Sequence, residues 1–200
     1  MSGNIFVITA PSGTGKTTLL KELLKADDRL RFSISFTTRP PRSGEVHGQD
    51  YFFISIEEFR RLQEQGDLVE CVEQFGYWYG TSKAWIKGAL AGGGDLVFDL
   101  DTRGARAVKG HFPQAVLIFI LPPDLTELKR RLQVRGDLPP EELQRRLEQG
   151  RAELREVSWY DFLVVNDQFE QALAQLKAII VASRLRVSRA WPELAPRFLP

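Results

Sequence analysis

Two short runs of this sequence carry residue types that can hold phosphate. The first, Ala10-Pro11-Ser12-Gly13-Thr14-Gly15-Lys16-Thr17, fits the phosphate-loop spacing GxxxxGK[ST] except that alanine stands at its first position. Gly13 and Gly15 let successive backbone N–H groups turn inward on an anion, and a helix starting there adds partial positive charge from its N-terminus. Lys16 would bridge the β and γ phosphates of a nucleoside triphosphate as a point charge, and the Thr17 hydroxyl would bind Mg²⁺. The second run is SFTTRPPRSGEVHGQDYFF, Ser35 to Phe53, in which Arg39 and Arg42 flank Pro40 and Pro41, and Glu45, His47, Asp50 and Tyr51 follow. Arginines beside prolines are usually solvated loop charges. On a stiff turn, however, two guanidinium groups can grip one phosphate in bidentate fashion, because the fixed φ of proline reduces the entropy lost on binding. Tyr51 and Tyr79 can add neutral O–H donors, which makes a second phosphate site separate from the first.

The phosphate loop requires a strand before it and a helix after it. Asn4 to Thr9 (NIFVIT) is an apolar, β-branched run, and Lys16, Leu19, Leu20, Leu23 and Leu24 follow at helical spacing. Three further apolar runs, Asp95–Asp101, Ala115–Leu121 and Phe162–Val165, each lead into a helical pattern. Strands alternating with helices predict an α/β fold of the phosphate-loop NTPase type: a mostly parallel sheet with helices on both faces. Asp99 and Asp101 end one of these strands, where open α/β sheets place ligand-binding groups. Asp99 is a candidate for the water shell of Mg²⁺ or, alternatively, a cap for the helix that follows.

Two stretches break the alternation. Ser33 to Gly94 contains a short strand candidate at Tyr51–Ile54, a capping box of Ser55 and Glu58 for a helix over Ile56–Gln65, and an alternating strand at Leu68–Phe75. It reads as a small inserted lobe. Lys129 to Trp159 is almost all helix-forming and crowded with arginine, mostly an exposed face from which a subset could serve a ligand. The tail from Ser188 to Pro200 carries three prolines and loses the helical period, so it is either frayed or docked through Trp191 and Phe198.

Composition narrows the function classes. The 27 Lys and Arg nearly balance the 26 Asp and Glu, so a general attraction to nucleic acid or to an anionic membrane is not expected and any anion binding must be local. No apolar run approaches the roughly 18 residues a membrane helix needs, and the first residues lack a charged segment leading into a cleavable apolar one, so the expected location is the cytoplasm. Cys71 is the only cysteine; it excludes an internal disulfide and reads as a small core residue. The phosphate loop alone cannot separate a GTPase, an ATP-driven motor and a small-molecule kinase, but no NKxD-like guanine reader follows Asn166-Asp167, and the chain has no room for a large coupled motor.

The loop APSGTGKT, the run SFTTRPPRSGEVHGQDYFF, and the segments LVECVEQFGYWYGTS, DLVFDLDTRGA, ILPP, KRRLQVRG and LVVND occur in that order. Together they resemble the guanylate kinases from Ile5 to about Arg189. The resemblance implies one domain with a phosphate-loop core (about 1–33, 95–125 and 160–187), a GMP-binding lobe (about 34–94), a helical lid (about 126–159) and a tail (188–200). It implies MgATP as phosphoryl donor and GMP as acceptor, with dGMP a second acceptor because nothing marks a 2′-OH reader. The ATP set comprises Ser12, Gly13, Thr14, Gly15, Lys16, Thr17 and Thr18 with Asn166. The family's clamp on the GMP phosphate falls on Arg39, Arg42, Tyr51 and Tyr79, its guanine contacts on Ser35, Glu70, Thr81 and Asp101 with Asp99 beside them, and its lid arginines on Arg131, Arg135 and Arg146. Without the resemblance, Glu70 reads as an exposed strand carboxylate. One departure falls in the lid, where Asp137-Leu138-Pro139-Pro140 replaces the Thr and acidic or hydroxyl run that usually follows Arg-Gly. Two other readings of the same fold are a kinase for a sugar-phosphate acceptor, against which Glu70 and GEVHGQDYFF argue, and a non-catalytic binding module, against which the intact loop argues.

Overall fold

The computed structural model describes residues 3–74, 76–134 and 139–199. The first half of the chain forms β1 (Ile5–Thr9), α1 (Lys16–Ala26), β2 (Leu30–Phe32), β3 (Phe36–Thr37), β4 (Phe52–Phe53), α2 (Ile56–Glu64), β5 (Leu68–Gln74), β6 (Tyr77–Ser82) and α3 (Lys83–Ala91). The second half forms β7 (Asp95–Asp99), α4 (Thr102–His111), β8 (Val116–Leu121), α5 (Leu125–Val134), α6 (Pro140–Arg155), β9 (Phe162–Val165), α7 (Phe169–Arg184) and α8 (Val187–Leu194). Strands β2, β7, β1, β8 and β9 pair in that order as a parallel sheet, and β4, β3, β6 and β5 form a second, mixed sheet.

The alternation of side chains along a strand splits β1 between two cores. Phe6 and Ile8 pack with Leu19, Leu20 and Leu23 of α1 and Leu176 and Ile180 of α7. Ile5 and Val7 pack on the other face with Ile86 and Leu90 of α3 and Ala105 and Val108 of α4. Such fully buried side chains each contribute about 2 kcal/mol of hydrophobic stabilisation, which fixes the sheet as the rigid floor of the site. At the opposite end of the strands, buried Asp95 accepts from the Asn4 backbone N–H at 2.6 Å and from Arg184 Nε at 2.6 Å, and Arg184 Nη1 reaches Asp27 at 2.5 Å. This cluster ties the C-terminus of α7 to β1 and β7.

The tail departs from the expectation of lost helical order. It forms α8 with Pro192 inside it, and Trp191 stacks on Phe198 at 6.3 Å between ring centroids. Pro192 sits where the backbone N–H it lacks would have reached Ser188, and the helix closes beyond it with the Ala195 N–H on the Trp191 carbonyl. No helix among the described residues is long and apolar enough to cross a membrane.

Candidate active site

The loop between β1 and α1 bends because glycine alone fits there. Gly13 and Gly15 have φ of 90° and 94°, and a Cβ on Gly15 would lie 2.6 Å from Asn166 Nδ2. The close neighbour has a purpose: buried Asn166, at the end of β9, donates from Nδ2 to the Thr14 carbonyl at 2.7 Å and so pins the loop. Helix α1 starts at Gly15 without any side-chain cap, which leaves its first N–H groups for an anion. Ser12, Thr17 and Thr18 line a cavity of about 660 Å³ with Gly13, Thr14, Gly15 and Lys16. Asp99 and Asp101 enter the same cavity from the end of β7, and Lys16 Nζ forms an ion pair with Asp99. Asp101, rather than Asp99, caps α4: its carboxylate accepts from the Gly104 N–H at 2.8 Å.

The arginines of α5 and α6 are placed differently from one another. Arg131 lies on the loop, with Nη1 at 3.3 Å from the Thr14 carbonyl and 3.1 Å from that of Asn166, and its Nε on Glu127 at 2.7 Å. Arg130 and Arg131 together hold the Glu127 carboxyl down to about 2. Arg146 donates from Nε to Glu142 at 2.8 Å and is not among the residues around the loop cavity. Arg135 lies outside the described residues, as do Asp137 and Leu138 of the departure from the family pattern.

On the other side of the β7 terminus a second cavity, of about 600 Å³, is lined by Ser35, Arg39, Arg42, Tyr51, Glu70, Tyr79, Asp99 and Asp101. Arg39 is not a solvated loop charge: only 8% of it is exposed. Its Nη2 donates to Glu45 at 2.8 Å and its Nη1 to the Pro40 carbonyl at 2.8 Å, while its guanidinium lies over the Tyr51 ring at 5.6 Å. The same Glu45 accepts the Arg42 backbone N–H at 2.7 Å, so one carboxylate fixes both the turn and the arginine within it. Glu45 raises the Arg39 pKa further, keeping the guanidinium charged. Tyr51 and Tyr79 meet edge to face at 6.0 Å beside it.

Glu70 sits at the other end. Burial pushes its carboxyl up, the Thr81 hydrogen bond opposes that, and the Asp101 carboxylate adds to it. Thr81 Oγ1 donates to Glu70 at 3.0 Å, and since a hydroxyl has one proton, Ser35 Oγ, 3.0 Å away, must be the donor to Thr81. The three side chains form one directed chain of hydrogen bonds. The remaining lone pairs of Glu70 can accept further hydrogen bonds at the wall of this cavity.

The structure thus brings the loop residues, Arg131, Asp99 and Asp101 around one cavity and the phosphate and base candidates around another, and it holds Thr81 at the wall of the second through Ser35 and Glu70. Five charged or amide-bearing lining residues fall outside the expected site: Glu45 and Arg103 in the acceptor cavity, and Arg130, Gln149 and Glu153 in the loop cavity. Glu45 carried a signal, standing three positions after Arg42 as a countercharge. Glu153 carried none, being one of many carboxylates on α6; burial raises its pKa and Gln149 Nε2 donates to it at 3.0 Å.

The guanylate kinase family matches residues 2–183. A guanylate kinase from Geobacter metallireducens is 45% identical over 196 residues, covering 98% of this chain and 97% of its own. One from Dechloromonas aromatica is 46% identical over 185 residues, covering 92% of each. The crystal structure of guanylate kinase from Anaplasma phagocytophilum superposes with a TM-score of 0.72 at 29% identity, over 100% of this chain and 96% of that one. With a family match across nearly its whole length and relatives this similar, the chain belongs to the guanylate kinase family.

Proposed function

We propose that this chain transfers the γ-phosphoryl group of MgATP to GMP, giving ADP and GDP in the cytoplasm, with dGMP as a second acceptor. The observation that carries the reading is that the loop cavity and the acceptor cavity share Asp99, Leu100 and Asp101, so two bound anions would meet end to end over the β7 terminus. A phosphate monoester dianion is already a competent nucleophile, so the site needs no general base. Its task is to align two polyanions and neutralise the charge of a loose transition state.

The residues divide that task. The loop N–H groups and Lys16 hold the β and γ phosphates, and Lys16 exchanges its Asp99 partner for phosphate oxygens. Thr17 and Asp99 present hard oxygens in one cavity and fit Mg²⁺, which takes one or two protein oxygens with phosphates and water; bound there, it would neutralise charge between donor oxygens. Arg39 and Arg42, with the hydroxyls of Tyr51 and Tyr79, hold the acceptor phosphate. Glu70 accepts guanine N1–H and N2–H₂ together, whereas adenine offers a bare N1 acceptor there and leaves the carboxylate unpaired. Arg131, and Arg135 and Arg146 on closure of the lid over residues 126–159, add cations at the transferring group and exclude the water that would waste ATP. The domain limits given above follow from the same division.

The test is ADP release from MgATP with GMP, dGMP, AMP, CMP or UMP. The reading expects turnover with GMP and dGMP and at most traces with the others. ATP binding without turnover of any monophosphate would refute it.

A further inference from the structure

Three buried oxygens beside the phosphate loop, Thr9 Oγ1, Tyr160 Oη and Glu153 Oε2, have no hydrogen-bond partner among the described residues. Thr9 is the last residue of β1 and leads directly into the loop, and its register partner on β8 is Phe119. The Tyr160 ring packs edge-on against Phe119 with centroids 5.0 Å apart, which brings its hydroxyl to Thr9. Burial pushes the Tyr160 pKa up to about 12 and Thr9 opposes that rise, yet the two hydroxyls do not meet in hydrogen-bond geometry. A buried polar atom without a partner costs stability, so three in one place call for a reason.

Glu153 reaches this cluster from α6. One turn earlier, Gly150 is buried against the loop, where a Cβ would lie 3.4 Å from Pro11 Cβ and 3.4 Å from Leu128 Cδ2. Residues three apart share a helix face, so Glu153 faces the same loop, and it lines the loop cavity with Ala10, Lys16 and Asp101. Its Oε1 already accepts from Gln149 Nε2 at 3.0 Å, which leaves Oε2 with two lone pairs. Tyr160 and Thr9 each have one hydroxyl proton to give. Donors and acceptor therefore match in number.

We propose that Glu153 and Tyr160 are positioning residues for phosphoryl transfer. With both substrates bound, Glu153 Oε2 accepts from Tyr160 Oη and Thr9 Oγ1, which fastens the foot of α6 to the phosphate loop and fixes the arm of the helix that carries Arg146, two turns away. The free enzyme leaves these bonds unmade, so they contribute only in the loaded state, where they favour the reaction. The assignment rests on the phosphoryl-transfer reading above.

The experiment measures GDP, inorganic phosphate and Tm for the wild type, Tyr160→Phe, Glu153→Leu and the double variant. Tyr160→Phe removes one oxygen and keeps the ring on Phe119, so the Tm of the free enzyme should not fall. Its kcat/KM for GMP at saturating MgATP should nevertheless fall about tenfold, the worth of one hydrogen bond to a carboxylate. Inorganic phosphate formed per GDP should rise, because a loosely held α6 admits water. The double variant should fall no further than Glu153→Leu, since both changes break the same contact. A lower Tm in Tyr160→Phe would put its hydroxyl among the bonds of the free fold and overturn the proposal, as would an unchanged kcat/KM, an unchanged phosphate yield or losses that multiply in the double variant. Wild-type enzyme that makes no GDP from MgATP and GMP would refute the phosphoryl-transfer reading and the proposal with it.

Discussion

Glu70→Gln changes one atom of the site and tests how guanine is selected. The carboxylate has two oxygens, of which one accepts from Thr81 Oγ1 at 3.0 Å. The lone pairs that remain can accept from N1–H and N2–H₂ of guanine. A glutamine amide replaces one acceptor with an N–H₂ donor, so it loses at least one charge-assisted hydrogen bond and sets a donor against a donor. A charge-assisted bond contributes about 1.5 to 3 kcal/mol, which makes the expected fall in kcat/KM for GMP about 100-fold. AMP should not suffer, because the amide can donate to its bare N1. The GMP-over-AMP preference, of order 10⁴ for a site built on such bonds, should shrink to about 10² or less. Acid sensitivity gives a second readout. Burial raises the Glu70 pKa, so the carboxyl of the free enzyme gains its proton above the usual carboxylate range, and kcat/KM for GMP should fall as pH drops through that point. That limb should vanish in Glu70→Gln, while any limb from the GMP phosphate itself remains. The same raised pKa means that the charged carboxylate costs stability once pH rises through its folded value, so the variant should melt no lower than the wild type at neutral pH. Both sets of values come from coupled ADP-release kinetics and thermal melts. An unchanged GMP-to-AMP ratio in Glu70→Gln would remove Glu70 from guanine selection.

Gly15→Ala should abolish ATP binding measured by calorimetry, since its Cβ would meet Asn166 Nδ2 at 2.6 Å at a φ of 94°. Arg39→Lys keeps the charge but loses the fork that spans Glu45 and the Pro40 carbonyl, so KM for GMP should rise about tenfold to 100-fold while ATP binding is unchanged. Arg184→Ala leaves buried Asp95 without a cation and should cost about 3 kcal/mol, a fall in Tm of roughly 10 °C for a chain of this size. Arg184 also holds the Asp27 pKa down, so the stability this pair supplies is present above the ordinary aspartate pKa and lost as pH falls through the lowered one. The acid part of the stability profile should therefore flatten in Arg184→Ala.

The parts of the fold that could be read in the sequence are those that repeat a pattern over enough residues. The runs that became β1, β7, β8 and β9 are apolar on both faces and lead into long helices, as a buried parallel sheet requires. Strands β2 and β3, of three and two residues, are too short to show alternation, and β6, YWYGTS, hides its pattern behind a glycine that packs against Glu70 and Phe59. Helix α3 beside it is not evident from sequence pattern, although Ser82 caps it by accepting the Trp85 N–H at 3.0 Å. The tail misled through Pro192, which a short helix accommodates near its end. In the site, glycine spacing made the loop legible. What spacing could not give was pairing: that Glu45 holds Arg39, that Asp101 rather than Asp99 caps α4, and that Thr81 directs its proton to Glu70 are all contacts between segments far apart or on turns of irregular geometry.

In the proposed reaction one phosphoryl group passes directly between the two cavities. Phosphorus NMR of the enzyme with MgATP and GMP observes the transfer itself. GDP and ADP resonances should grow together at equal rates with little inorganic phosphate, because acceptor and donor meet with water excluded. Inorganic phosphate accumulating with ADP while GMP stays unchanged would contradict it.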